Sequence, residues 1–187
     1  PNLKPTSDLE AQAAGGTLQF HVLPKSFAAV SLWTADFSYS PQGWRANLHP
    51  RMMGDVNGDG KDDVVGFGYG GILVGLSNGS GFNPATSWTT DFSYNQGWRM
   101  DTYPRMVGDV NGDGKADVVG FGYAGAVVAL SNGVNGFAPL SLWTTDYSYN
   151  QGWRMDTYPR MVGDVNGDGK DDAIGFGYSG VLVAVAK

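Results

Sequence analysis

The chain of 187 residues contains no cysteine. That excludes disulfide staples, zinc–thiolate sites, thiol nucleophiles and iron–sulfur clusters. Positive charge is scarce: 12 Lys and Arg stand against 18 Asp and Glu, a formal charge of −6. Such a balance offers no footprint for a phosphate backbone, and nucleic acid is not an expected partner. Long apolar runs are missing too. The longest, such as Val181–Ala186, fall far short of the roughly 20 residues a membrane-spanning helix needs, so membrane insertion is not expected. Pro1–Glu10 lacks the basic-then-apolar pattern of a signal segment. Histidine occurs only at His21 and His49, neither near a G-x-S-x-G elbow, which leaves a hydrolase triad without its base. No Gly-rich loop follows a strand and opens a helix, so nucleotide binding is unsupported.

What the chain has in quantity is glycine, 29 residues, with 13% aromatic and 42% hydrophobic content. This is the composition of one compact globular domain, long enough to bury roughly two-thirds of its unfolded surface. The string GDVNGDGK recurs at Gly54–Lys61, Gly108–Lys115 and Gly163–Lys170, a period of 54 and then 55 residues. Gly recurs inside the apolar runs and β-branched and aromatic residues fill the remainder, which disfavours helix and suits pleated strands. Four short strands per repeat, separated by Gly/Asn turns, are the pattern of a β-propeller blade. The expected fold is therefore all-β, with three four-stranded blades per chain. In the central repeat the strands are expected at Arg105–Val110, Asp117–Gly122, Ala126–Leu130 and Ser141–Asp146.

Blades begin near residues 51, 105 and 160, and Val30–Asp36 (VSLWTAD) reads as an outer strand standing ahead of the first of them. Residues 30–187 thus form the propeller segment and 1–29 a tail, within which Thr17–Leu23 reads as a degenerate extra strand when Phe27 is aligned with Phe137. The third repeat supplies three strands up to Lys187. Propellers typically hold four to eight blades, so the expectation is a homodimer closing a six-bladed ring by exchange of outer strands, with a larger ring or a fragment of a longer propeller as rivals.

The acidic loops Asp55–Asp63, Asp109–Asp117 and Asp164–Asp172 hold eleven of the eighteen acids. Side-chain oxygens fall at loop positions 1, 3, 5 and 9: Asp55, Asn57, Asp59 and Asp63; Asp109, Asn111, Asp113 and Asp117; Asp164, Asn166, Asp168 and Asp172. The position-7 carbonyl, of Lys61, Lys115 or Lys170, is the fifth oxygen. Hard oxygen donors around a tight turn suit Ca²⁺. An EF-hand would need a Glu at position 12, where Gly66, Gly120 and Gly175 stand, so these are calcium loops of hairpin type. The competing reading is a plain Asn-Gly-Asp-Gly turn.

The second repeated string is FSYSPQGWRANLHPRM at Phe37–Met52, followed by FSYNQGWRMDTYPRM at Phe92–Met106 and YSYNQGWRMDTYPRM at Tyr147–Met161. It joins one blade's outer strand to the next blade's inner strand. Aromatic faces stack on sugar rings, while Asp and Asn bond hydroxyls. The candidate sugar-binding residues are Trp98, Asp101 and Tyr103 in one copy, Trp153, Asp156 and Tyr158 in the next, and Trp44, Asn47 and His49 in a divergent first copy. The alternative for the three Trp is packing between blades. Paired carboxylates for glycoside cleavage are not expected, because Asp101 and Asp156 occupy the same position on different blades. Repetition favours binding over catalysis, so the chain does not read as an enzyme.

The combination of YNQGWRMDTYPRM with GDVNGDGKADVVGFG and an Asn-Gly turn before Phe137 resembles the blades of Psathyrella velutina lectin-type propellers. The loops alone are similar to FG-GAP/VCBS repeats. The resemblance covers residues ~30–187 and implies a secreted, multivalent glycan-binding lectin, with pockets between blades for N-acetylglucosamine-type sugars and structural Ca²⁺. The alternative function is a non-catalytic scaffold for protein interaction or adhesion, or the accessory module of a secreted enzyme.

Overall fold

The computed structural model describes the backbone of residues 9–14, 17–22 and 27–187, and side chains from residue 27 onward. Two compact units divide at Ser31/Leu32. In the first, β1 (Leu9–Ala14) pairs antiparallel with β2 (Thr17–Val22). The extra strand expected at Thr17–Leu23 is therefore present over Thr17–Val22, but its partner is the segment read as tail. No helix among the described residues is long and apolar enough to cross a membrane.

The second unit consists of three successive antiparallel sheets, the blades. Blade 1 holds β3 (Arg51–Gly54), β4 (Asp63–Phe67), β5 (Ile72–Gly75) and β6 (Thr86–Thr89). Blade 2 holds β7 (Arg105–Gly108), β8 (Asp117–Phe121), β9 (Ala126–Ala129) and β10 (Ser141–Thr144). Blade 3 holds β11 (Arg160–Gly163), β12 (Asp172–Gly177) and β13 (Gly180–Ala184). Each is a meander, and the first strands of neighbouring blades lie side by side, β3 with β7 and β7 with β11. This is the β-propeller arrangement expected from the period.

Between blades 1 and 2 the core is Val56, Val65, Phe67, Ile72 and Val74 against Trp88, Phe92, Val118 and Ala129. The corresponding layer between blades 2 and 3 contains Val110, Val119, Phe121, Ala126, Val128 and Tyr147. Gly is required in the second strand of each blade because a Cβ on Gly120 would lie 2.5 Å from both Phe92 and Trp98. The repeated Trp and Phe occupy the volume a larger residue would take.

Val30–Asp36, expected as an outer strand, forms no ladder. An outer strand exists only by pairing with a third strand, and residues 30–36 pair with none of the described strands. Trp33 nonetheless lies against Phe82 with ring centroids 5.6 Å apart, much as Trp88 lies against Phe137 at 5.3 Å. Its side chain meets blade 1 the way an outer-strand Trp meets the following blade.

Candidate functional site

The three acidic loops share one pattern of side-chain-to-amide bonds. The Asp55 carboxylate accepts from the N–H groups of Gly58, Asp59 and Gly60 at 2.7, 3.1 and 2.6 Å. Asp109 and Asp164 repeat this on Gly112, Asp113 and Gly114 and on Gly167, Asp168 and Gly169. Gly60, Gly114 and Gly169 take φ between 79° and 86°, which places each amide under the first carboxylate. Asn57, Asn111 and Asn166 accept from the N–H two residues on. Asp59 is paired with Lys61 Nζ at 2.8 Å and Asp113 with Lys115 Nζ at 2.7 Å.

The position-9 acids have a different setting. Asp63 and Asp117 are fully buried, and each bridges two segments: Asp63 accepts from Val56 and Ser77, and Asp117 from Val110 and Ser131. Asp172 does the same with Val165 and Ala186. Burial pushes the Asp117 carboxyl up to about 7, with the Asp113 and Asp109 charges acting in the same direction against its two amide bonds. Asp63 is raised for the same reasons. The loops therefore hold hard oxygens and an excess of negative charge that one lysine per loop does not balance, a donor set that fits Ca²⁺. Among the described residues, however, no three His, Cys, Asp or Glu side chains are gathered closely enough to hold an ion as they stand. Asp59 and Asp113 would have to exchange their lysine for the cation.

The aromatic connections meet between blades. Phe92 has left-handed backbone, φ 57°, and so do Phe37 and Tyr147, a conformation costing on the order of 1–2 kcal/mol in a bulky residue. The carbonyl of each is caught by an arginine Nη1: Phe37 by Arg51, Phe92 by Arg105 and Tyr147 by Arg160. Arg105 and Arg160 are fully buried, and their guanidinium groups face Phe67 and Phe121 of the preceding blade at 5.2 and 5.8 Å. Desolvation pulls both down to about 10.

Beyond that bend, the turn Tyr94–Gln96 docks on the preceding blade, with Tyr94 N–H donating to the Gly68 carbonyl and Asn95 N–H to the Tyr69 carbonyl, both at 3.0 Å. Tyr149 and Asn150 bond Gly122 and Tyr123 in the same way, each at 3.1 Å. This docking creates a cleft floored by rings from two successive connections. In the first cleft His49 lies 4.3 Å from Tyr69 and 6.2 Å from Tyr94, with Trp44 at 5.5 Å behind it. In the second, Tyr103 lies 5.6 Å from Tyr149, Tyr123 stacks on Tyr149 at 6.4 Å, and Trp98 lies 6.0 Å behind Tyr103. The third brings Trp153 and Tyr158 together at 6.0 Å, in a cleft of about 210 Å³ shared with Gln151, Gly177 and Tyr178.

The expected sugar-binding residues thus fall into three groups. Trp44, Trp98 and Trp153 form the rear wall and press their ring edges toward Gly66, Gly120 and Gly175, which is the packing duty weighed for them. His49, Tyr103 and Tyr158 lie in the clefts. Asn47, Asp101 and Asp156 are exposed, and the two carboxylates accept only from the neighbouring Thr102 and Thr157 hydroxyls. His49 is buried; its Nδ1 accepts from Arg45 N–H and its Nε2 has no partner. Desolvation, then Arg51, Arg45 and Arg105, lower its pKa from 6.5. Tyr69, Tyr123, Tyr94 and Tyr149 were not among the candidates. The guanidinium groups of Arg99 and Arg154 were missed as well; they cover Tyr94 and Tyr149 at 3.5 and 3.4 Å. The only sequence signal for them was the repeated Gly-Trp-Arg triplet.

The larger cavity, about 360 Å³, lies elsewhere, between blades 2 and 3, among Val110, Val119, Val128, Trp143 and Val185. Its walls are mostly apolar, with Thr144, Asp171 and Lys187 also lining it, and it brings together none of the expected site residues.

No family model matches the chain, and no curated protein does, so the likeness to Psathyrella velutina lectins and FG-GAP/VCBS repeats rests on the motifs alone. Among solved structures, an Agrocybe aegerita lectin described as recognising non-reducing terminal N-acetylglucosamine is similar over 96% of this chain, at 37% identity and a TM-score of 0.80. The chain spans 43% of that lectin's length. The TcdB2–TccC3 structure without its hypervariable C-terminal region shares the fold, at 16% identity and a TM-score of 0.61 over 97% of this chain and 7% of its own. A TcdB2–TccC3–Cdc42 structure is similar at 20% identity and a TM-score of 0.57, over 78% and 7%.

Proposed function

We propose that the chain is a non-catalytic lectin that takes sugars of the N-acetylglucosamine class in the clefts between its blades. The observation that carries this reading is the recurrence of one built cleft: a ring on the blade-to-blade connection (His49, Tyr103 or Tyr158) beside a tyrosine following the second strand (Tyr69, Tyr123 or Tyr178). The exposed rings of Tyr69, Tyr123 and Tyr178 can stack on the apolar face of a pyranose while their hydroxyls bond its rim, with His49, Tyr103 and Tyr158 behind them. The likeness to the Agrocybe aegerita lectin supports the same sugar class. Repeated weak sites on one rigid body gain strength on a multivalent glycan surface, which suits a secreted protein. A glycan array followed by monosaccharide inhibition tests the reading; silence across the array would favour the scaffold function.

Ca²⁺ is the proposed structural ion of the acidic loops. Asp55, Asn57, Asp59, Asp63 and the Lys61 carbonyl would hold one ion, with the corresponding residues of the other two loops holding theirs. Three such ions would cancel the formal charge of −6. The ion would supply no chemistry beyond relieving repulsion among the loop carboxylates and tying the first two strands of each blade.

A further inference from the structure

Arg105 and Arg160 are the largest side chains wholly enclosed by the fold, and no ion pair accounts for them: the pairs among the described residues are Lys61–Asp59 and Lys115–Asp113. Of each guanidinium only Nη1 is bonded, to the Phe92 carbonyl at 3.0 Å or the Tyr147 carbonyl at 3.1 Å. Nε and Nη2, the parallel two-donor edge of the group, find no acceptor among the described residues. The charges that act on them, Arg99 on Arg105 and Arg154 on Arg160, are of the same sign. A buried cation with its two-donor edge unpaired and a like charge nearby detracts from stability, and an apolar side chain would serve the core as well or better. The two arginines are therefore to be explained by what they hold.

Each guanidinium meets two segments, and each meeting point lies two residues before a tyrosine of a cleft. Arg105 bonds the Phe92 carbonyl, with Tyr94 two positions on, and faces the Phe67 ring at 5.2 Å, with Tyr69 two positions on. Arg160 repeats this on Tyr147, ahead of Tyr149, and on Phe121, ahead of Tyr123, at 5.8 Å. Phe67 and Phe121 end β4 and β8 and donate their N–H groups to the Pro50 and Pro104 carbonyls, so the sheet fixes them. Phe92 and Tyr147 instead stand at left-handed bends, φ 57° and 60°, which a bulky residue keeps only where its surroundings enforce it. The guanidinium bond falls on the strained residue itself. One planar group thus ties the wall that local geometry disfavours to the wall that the sheet holds. The outcome is a defined pair of rings in each cleft: Tyr94 against Tyr69 at 5.3 Å and 80°, Tyr149 against Tyr123 at 6.4 Å and 29°.

We propose that Arg105 and Arg160 are positioning residues of the first and second clefts, each holding the tyrosine of the connection at a set distance and angle from the tyrosine of the strand before the sugar arrives, an assignment that rests on the reading of the clefts as sugar sites. Ordering both rings in advance removes that cost from binding. Stability is given up at the buried cation, and a preformed cleft is gained. Lysine is no substitute, because a single ammonium can bond a carbonyl but has no plane to lay against Phe67 or Phe121. Each arginine serves one cleft, so the two clefts can be disturbed one at a time.

The test is fluorine NMR on the full chain labelled with fluorotyrosine, the resonances of Tyr69, Tyr94, Tyr123 and Tyr149 being assigned by replacing each in turn with Phe, and N-acetylglucosamine serving as the probe. In Arg105→Lys without sugar, the Tyr69 and Tyr94 resonances should move while those of Tyr123 and Tyr149 stay. On titration, the dissociation constant read at Tyr94 should rise about 10-fold, because the rings are then ordered on binding, and the one read at Tyr149 should stay within about 2-fold. Arg160→Lys should give the mirror result. Should Arg105→Lys fail to fold, Arg105→Met, in which an apolar side chain replaces the buried cation, carries the same expectation. Equal losses at both clefts, the mark of a merely structural residue, or no change at either in a folded variant, would overturn the proposal. Resonances of Tyr69 and Tyr94 that move in Arg105→Lys, in a protein whose native form gives no response to the sugar, would leave the clamp standing and refute the lectin reading.

Discussion

The acidic loops and the aromatic clefts are each present three times, yet they differ in how faithfully they repeat. The loops match in their carboxylate–amide bonds, from the three amides on Asp55, Asp109 and Asp164 to the two on Asp63, Asp117 and Asp172. The clefts do not match. One holds a buried histidine, another a stack of tyrosines, and the third is open on one side. In the loops each side chain at positions 1, 3, 5 and 9 has at least one oxygen committed to a backbone amide, so a substitution strands a donor. In the clefts the rings touch mainly one another, and His49 or Tyr103 can occupy the same place. Structure tolerates change at the clefts, and specificity can therefore be adjusted there.

The largest effect is expected at the committed acids. Asp117→Ala leaves the buried Val110 and Ser131 amides without an acceptor, a loss of about 3 kcal/mol in denaturant unfolding. Asp101→Ala, at an exposed carboxylate, should stay within about 0.5 kcal/mol. Chelation comes next: removing Ca²⁺ should lower the melting temperature by roughly 5–10 °C, as loss of a ligand bound only to the folded state does. An unchanged melting curve in excess chelator, with metal analysis finding no calcium, would remove the ion and leave the loops as turns pinned by Asp–amide bonds.

At the clefts the order reverses, with binding responding more than stability. Tyr123→Ala should weaken N-acetylglucosamine at the second cleft by about 10-fold, the loss of one stacked ring, while leaving the melting temperature within about 2 °C. The smallest effect is that of pH on the first cleft. Because the folded pKa of His49 is depressed below 6.5, the unfolded chain binds the proton more readily. Stability contributed by the neutral ring is present above 6.5 and is lost as pH falls toward the lower folded value. His49→Tyr should abolish this slope between pH 7 and 5, and the comparison of the two unfolding profiles measures it.

Much of the fold was legible because Gly120, Phe121, Asp113 and their counterparts recur at fixed spacing, and a period of 54 residues with four strands admits few architectures. Val30–Asp36 was misread as a strand because its pattern copies Ser141–Asp146, while strand geometry depends on a partner that pattern cannot supply. The candidate residues of the clefts were half legible. Trp98 and Tyr103 lie in one string, but Tyr94 meets Tyr69 only through the Tyr94–Gly68 and Asn95–Tyr69 bonds between blades, which no local spacing encodes. The double duty of Asp63 was hidden for the same reason: its second acceptor bond is to Ser77, fourteen residues on, across a hairpin.

The most direct test of the lectin account is calorimetric titration of N-acetylglucosamine into the native chain and into the Tyr69→Ala, Tyr123→Ala double variant at equal folded fraction. The account predicts saturable binding to the native chain and, in the variant, about 10-fold weaker binding at the first two sites with the melting temperature within about 2 °C. Identical isotherms for the two proteins, or no heat from either, would contradict it.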